Sequence, residues 1–165
     1  LRDMQQELVR TFAKWNTKAP TKGPAHKYLE PFAGVWKVEG HNATGAPDAN
    51  GIRVTGTESY EWLEGEFFLV NRFDRGEGAD HFKGVGWIGY DGTNGAYLSY
   101  SISNIGYFRI YEVQIKPGEI CYLGSSERGV VRLSSDCNTI RIYWEQLNAA
   151  GRWQPLCDLR GHRVN

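Results

Sequence analysis

What most constrains this chain is the spacing of its turn signals. From Ala33 onward, Gly, Pro, Asn and Asp clusters interrupt the text about every eight to twelve residues, and no helical period of useful length survives between them. Ten short strands are predicted, near 34–42, 52–63, 66–74, 81–90, 96–103, 107–116, 119–125, 130–134, 139–147 and 152–162. So long a meander leaves exposed edges unless it closes on itself. The expected fold is therefore all-β, an antiparallel up-and-down barrel of about ten strands. Twenty Gly with six Trp, nine Tyr and seven Phe suit it, since glycine serves tight turns and large rings fill one face of a twisted sheet.

The first residues read differently. Met4, Leu8, Phe12 and Trp15 recur at helical spacing, with charged and polar residues between them, which predicts an amphipathic helix over 1–17. Pro20, Gly23, Pro24 and Pro31 then break helical structure, so 17–31 is a connector. The expected division is a helix and connector over 1–31 and one barrel domain over 32–165, in keeping with a length of 165 residues. The helix would lid one mouth of the barrel or pack on a partner subunit.

Charge and motifs narrow the function classes. Nineteen Lys and Arg balance nineteen Asp and Glu, scattered instead of blocked. Neither a phosphate backbone nor a lipid surface is an expected partner. No apolar run approaches the ~20 residues that span a bilayer. Cys121, Cys137 and Cys157 are odd in number and fit no disulfide framework or zinc spacing, which points to reducing conditions and a cytoplasmic setting. Phosphate-loop, dinucleotide, metalloprotease, nucleophile-elbow and Cys-x-x-Cys patterns are missing, so no cofactor and no metal are expected.

Turn lengths predict which side chains share a face, because directly opposed residues of an antiparallel hairpin do. A two-residue turn at Glu64-Gly65 would pair Trp62 with Phe67, Tyr60 with Leu69 and Glu58 with Asn71. A turn at Pro117-Gly118 pairs Gln114 with Cys121 and Glu112 with Leu123, and a loop at Asn104-Ile105-Gly106 pairs Ile102 with Phe108, Tyr100 with Ile110 and Leu98 with Glu112. A loop over 148–151 pairs Trp144 with Pro155, and sets Arg141 against Asp158 as an outer ion pair. Taking the more apolar face of each hairpin as inward gives a core that includes Trp36, Val54, Trp62, Leu69, Ile102, Phe108, Ile110, Ile142 and Trp144. Glu58, Asn71, Glu112 and Gln114 fall on that face too, with Tyr60, Tyr90 and Tyr100 near them. Buried carboxylates are costly unless hydrogen-bonded, protonated or set in a wet cavity, so these residues are the informative ones.

At Gly34-Val35-Trp36 the first strand resembles the opening Gly-x-Trp of lipocalins and other calycins, where the Trp plugs the closed barrel end under a late Arg; Arg160 or Arg163 would be that Arg. Pro24 to Leu29, Trp62 to Phe67, Gly89-Tyr90-Asp91 and Asn104-Ile105-Gly106 extend the likeness to a bacterial family of lipocalin-like barrels of unassigned function, over roughly 24–163. The resemblance implies a calycin-type barrel with an internal pocket and supplies no catalytic residues. A more distant resemblance is to nitrobindin-like barrels, which hold haem through an interior histidine. His162 invites it, but strand parity puts His41, His81 and His162 outward.

Two functions follow as expectations. One is a cofactor-independent acid–base enzyme of isomerase, cyclase, lyase or hydrolase type, acting on a small aromatic or apolar molecule. Glu58 and Glu112 would be its acid and base, and Asn71, Tyr60, Trp62, Tyr100, Phe108, Gln114 and Trp144 would hold the ligand. The other is a non-catalytic carrier or sensor of such a molecule. Phe68, Val70, Val85 and Trp87, apolar and predicted outward, suggest a homo-oligomer.

Overall fold

A computed structural model of the chain describes residues 21–43, 51–92 and 95–164. The helix expected over 1–17 lies outside the described residues.

Ten antiparallel strands close into a single barrel. They are β1 (Gly34–Asn42), β2 (Ile52–Trp62), β3 (Phe68–Arg75), β4 (Phe82–Asp91), β5 (Ala96–Ser103), β6 (Phe108–Lys116), β7 (Glu119–Leu123), β8 (Glu127–Leu133), β9 (Thr139–Leu147) and β10 (Trp153–Val164). Each pairs with its neighbours in sequence, and β1 pairs with β10 to seal the cylinder, with Trp36 opposite Arg163. Closure leaves no strand edge, which is why so many short strands can coexist without a second layer.

One end is plugged. Helix α1 (Pro24–Lys27) and a 3-10 turn (Glu30–Phe32) each begin at or beside a proline, whose fixed φ suits a first helical turn. They fold across the barrel so that Leu29, Phe32 and Trp36 lose all contact with solvent. The Trp36 indole N–H donates to the Phe32 carbonyl at 3.2 Å. Of the two arginines the sequence offered as its cover, Arg163 takes the place and Arg160 stays exposed.

The hairpins of β5–β6 and β6–β7 pair in the register that turn chemistry predicts, with Tyr100 opposite Ile110 and Gln114 opposite Cys121. Gly118, at φ +71°, supplies the left-handed residue that follows proline in such a turn. Two other hairpins are shifted by two residues. In β2–β3, Trp62 faces Leu69 and Tyr60 faces Asn71. Gly65 and Glu66 both take positive φ and the Leu63 N–H reaches the Phe68 carbonyl, so the connection is longer than a two-residue turn. In β9–β10 a bulge between Pro155 and Cys157 sets Cys157 against Trp144. Because each slip is even, every side chain keeps its face. Arg141 still forms its bidentate pair with Asp158, at 3.0 and 2.7 Å, but along a diagonal, since its direct partner is Arg160.

The correction that matters for function concerns β5 to β7, whose registers are as expected and whose faces are reversed. Tyr100, Ile102, Phe108, Ile110, Glu112, Gln114 and Leu123 point outward and are exposed. Ser99, Tyr111, Val113, Ile120 and Tyr122 are buried inside. Apolar residues being inside is a one-way rule, and here β5 and β6 turn Ser99, Ser101, Arg109 and Tyr111 toward the cavity, so choosing the greasier face selects the wrong side.

Candidate functional site

The half of the interior opposite the plug holds a cavity of about 570 Å³, within the range of small-molecule sites. Its floor is Glu58 on β2. The strand partner of Glu58 on β1 is Trp36, so the carboxylate stands at the level of the plug, and it is 1% exposed. Even parity along β2 and β3 brings its partners inward: the Tyr60 hydroxyl donates to Oε2 at 3.2 Å, and Asn71 Nδ2 donates to the same oxygen at 3.5 Å. Arg75, the last residue of β3, turns inward and ion-pairs with Oε1. A carboxylate buried this deeply needs such a set. Burial pulls the Arg75 guanidinium below its ordinary pKa, opposed by the nearby Cys157 thiol. Burial also pushes the Cys157 thiol up. Arg75 Nε remains buried without an acceptor.

A second polar cluster stands on the wall made by β5, β6 and β8. Arg109 donates through Nε and Nη2 to Glu127 Oε1, both at 3.3 Å, and the Tyr111 hydroxyl donates to Glu127 Oε2 at 2.9 Å. Tyr111, Tyr122 and Trp144 form an aromatic trio, with ring centroids 5.2 Å apart at Trp144 and 5.9 Å between the tyrosines. Gly129 makes room for the indole: a Cβ there would sit 2.4 Å from a Trp144 ring atom, so any larger residue would push the ring toward the cavity. Burial raises the pKa of Tyr60, Tyr111 and Tyr122, so all three are neutral hydroxyl groups. Phe73 stacks on Phe82 at 4.8 Å on the facing side. At the mouth, His81 Nε2 lies 2.7 Å from Asp74 Oδ1. The Asp74 carboxyl is held low by Lys83 and His81.

The residues singled out from sequence separate into three groups. Glu58, Tyr60 and Asn71 meet at the cavity floor, and Trp144 lines the far wall. Trp62 shares their face but lies at the plugged end, its indole N–H on Glu30 Oε2 at 2.8 Å. Glu112, Gln114, Tyr100 and Phe108 are on the outside of the barrel and line no part of the cavity. The acid–base pair imagined across the interior is therefore not assembled. Sequence reasoning missed Arg75, Arg109, Glu127, Tyr111, Tyr122 and the serine row Ser99, Ser101 and Ser103. Arg75 was within reach, lying two residues beyond the inward Phe73; the predicted strand stopped one residue short. The serine row shares a face with Arg109 and Tyr111, opposite the more apolar face that the inside-apolar rule selects. His41 and His162 are exposed. Among the described residues, no group of three or more His, Cys, Asp or Glu side chains converges to hold a metal ion. No helix among them is long and apolar enough to cross a membrane.

A closed ten-strand antiparallel barrel, plugged by a Gly-x-Trp strand under an arginine and hollow at the other end, is a calycin-like barrel of the lipocalin type. The chain belongs to the DUF1579 family, described as proteins of unknown function, whose model matches residues 21–118. No curated protein matches it. Among solved structures it is similar to Rv2717c from M. tuberculosis, at 13% identity and a TM-score of 0.64, over 88% of this chain and 100% of that one. A looser likeness, at 12% identity and a TM-score of 0.42, is to a zebrafish ileal bile acid-binding protein complexed with cholic acid, over 81% of this chain and 99% of that one.

Proposed function

We propose that this protein binds a small, largely apolar molecule inside the barrel, as a carrier or sensor. The observation that carries the reading is the cavity itself, with aromatic walls on two sides and a few fixed polar groups between them. Tyr60, Asn71, Ser99, Tyr122 and Trp144 are the ligand-contacting residues of this reading. Binding is favoured over acid–base catalysis because Glu58 is already engaged by Arg75, Tyr60 and Asn71, and Glu112 stands outside. A general base needs a free proton-accepting site within reach of the substrate. Titration with the neutral apolar dye Nile red tests the reading. Saturable one-to-one binding in the micromolar range supports it, and a linear, non-saturating response overturns it.

The partner proposed for the outer wall is a second copy of this chain. Three cross-strand rows, Val85–Ile102–Phe108, Trp87–Tyr100–Ile110 and Leu98–Glu112–Leu123, make one continuous and mostly apolar face over β4 to β7. Phe108 is 60% and Ile110 54% exposed. Together the side chains present on the order of 600 Å² of apolar surface, most of the ~800 Å² that each partner contributes to a standard interface. A two-fold pairing of this face with itself would bury it.

A further inference from the structure

Charge bookkeeping inside the barrel says what kind of molecule the cavity takes. We infer that its ligand is electrically neutral, an apolar body carrying hydroxyl or carbonyl groups, and neither a carboxylate nor an ammonium ion. This rests on the binding function proposed above and goes further by fixing the charge class.

Two cations enter the cavity from the described residues, and each already has its anion. Arg75 is paired with Glu58 at the floor and Arg109 with Glu127 on the wall. The one other carboxylate lining the cavity among the described residues, Asp80, is exposed at the mouth beside His81. The interior is therefore balanced before any ligand arrives. A carboxylate placed between the pairs would bring an uncompensated charge into a low-dielectric space, and taking Arg75 for itself would strand Glu58, whose remaining donors are the neutral Tyr60 and Asn71. An ammonium ion meets the mirror-image problem. What the cavity does offer is neutral hydrogen bonding. The Ser99 hydroxyl lines the cavity, the buried Tyr122 phenol keeps its proton, and an uncharged oxygen can supply the acceptor that Arg75 Nε lacks.

The test uses three ten-carbon probes of one shape, 1-decanol, decanoate and decylammonium, competing with Nile red at pH 7.5. Decanol is greasier than the ions wherever it binds, so the informative quantity is how the decanol-to-decanoate affinity ratio moves when one carboxylate is neutralised. Glu127→Gln frees Arg109 near the mouth without changing shape, and Glu58→Gln frees Arg75 at the floor. The inference predicts that wild type prefers decanol by 10-fold or more over both ions, and that each variant lowers the decanol-to-decanoate ratio by at least 10-fold while decylammonium stays weak. Should Glu58→Gln not fold, Glu127→Gln decides alone. Decanoate binding as tightly as decanol in wild type, or a ratio unmoved in Glu127→Gln, overturns the neutral-ligand inference while leaving the binding function standing. If wild type binds neither Nile red nor decanol, the binding function itself fails.

Discussion

The guanidinium of Arg163 lies over the indole of Trp36, 4.1 Å from the ring centroid, while donating to the carbonyls of Pro31, Ala33 and Cys137. One side chain thus ties the last strand to the plug and to the β8–β9 loop. Replacing Arg163 with Met keeps the stem and leaves three carbonyls without their donor. The expected loss is about 2 kcal/mol, read as a lower urea midpoint. Arg163→Lys recovers little of it, because one ammonium group cannot serve three divergent acceptors and a ring face. A lysine variant as stable as wild type would contradict this role.

The buried tyrosines give a pH signature. Burial raises the phenol pKa of Tyr60, Tyr111 and Tyr122 above the ordinary value near 10. A phenol raised in the folded state stabilises that state fully below the unfolded pKa, and the stabilisation is lost as pH climbs above ~10 toward the folded value. Absorbance at 295 nm is therefore expected to show these three tyrosines silent near pH 10.5 in native protein, with their phenolates appearing together only as the barrel unfolds. Full titration of all nine tyrosines in the folded protein would contradict the burial described here.

On the outer wall, Ile110→Lys places a charge at the centre of the exposed apolar face without touching the cavity. Wild type is expected to sediment as a dimer at micromolar concentration and Ile110→Lys as a monomer of unchanged thermal stability per folded chain. A monomeric wild type contradicts the proposed pairing.

How much of this was legible in the sequence depends on which physical cue decided each feature. Strand positions were, because turn residues mark them locally, and so was the plug, because Gly34-Val35-Trp36 combines with a late arginine. Register held where the turn was tight, as at Pro117-Gly118, and slipped by two where Glu66 took an unexpected positive φ or Pro155 introduced a bulge. The site was half legible. Glu58, Tyr60 and Asn71 came out together because their strands obey the simple inside-apolar alternation around them. Arg109 and Tyr111 did not, since β5 and β6 carry their greasy residues outward and their polar ones inward, the reverse of the pattern that ordinarily decides a face, and Glu127 opens β8 ahead of the strand expected over 130–134.

The central claim, that the barrel interior is a ligand site, is tested most directly by filling it. Ser101 points into the cavity and faces Gly86 across the ladder, so Ser101→Phe has space to place its ring inside without displacing a neighbour on β4. The measurement is the Nile red dissociation constant of wild type and Ser101→Phe, on protein shown by thermal melting to be folded. The account predicts saturable binding by wild type, weakened at least 10-fold in Ser101→Phe with the melting temperature preserved. Equal affinity in the two proteins would place the dye elsewhere and contradict it.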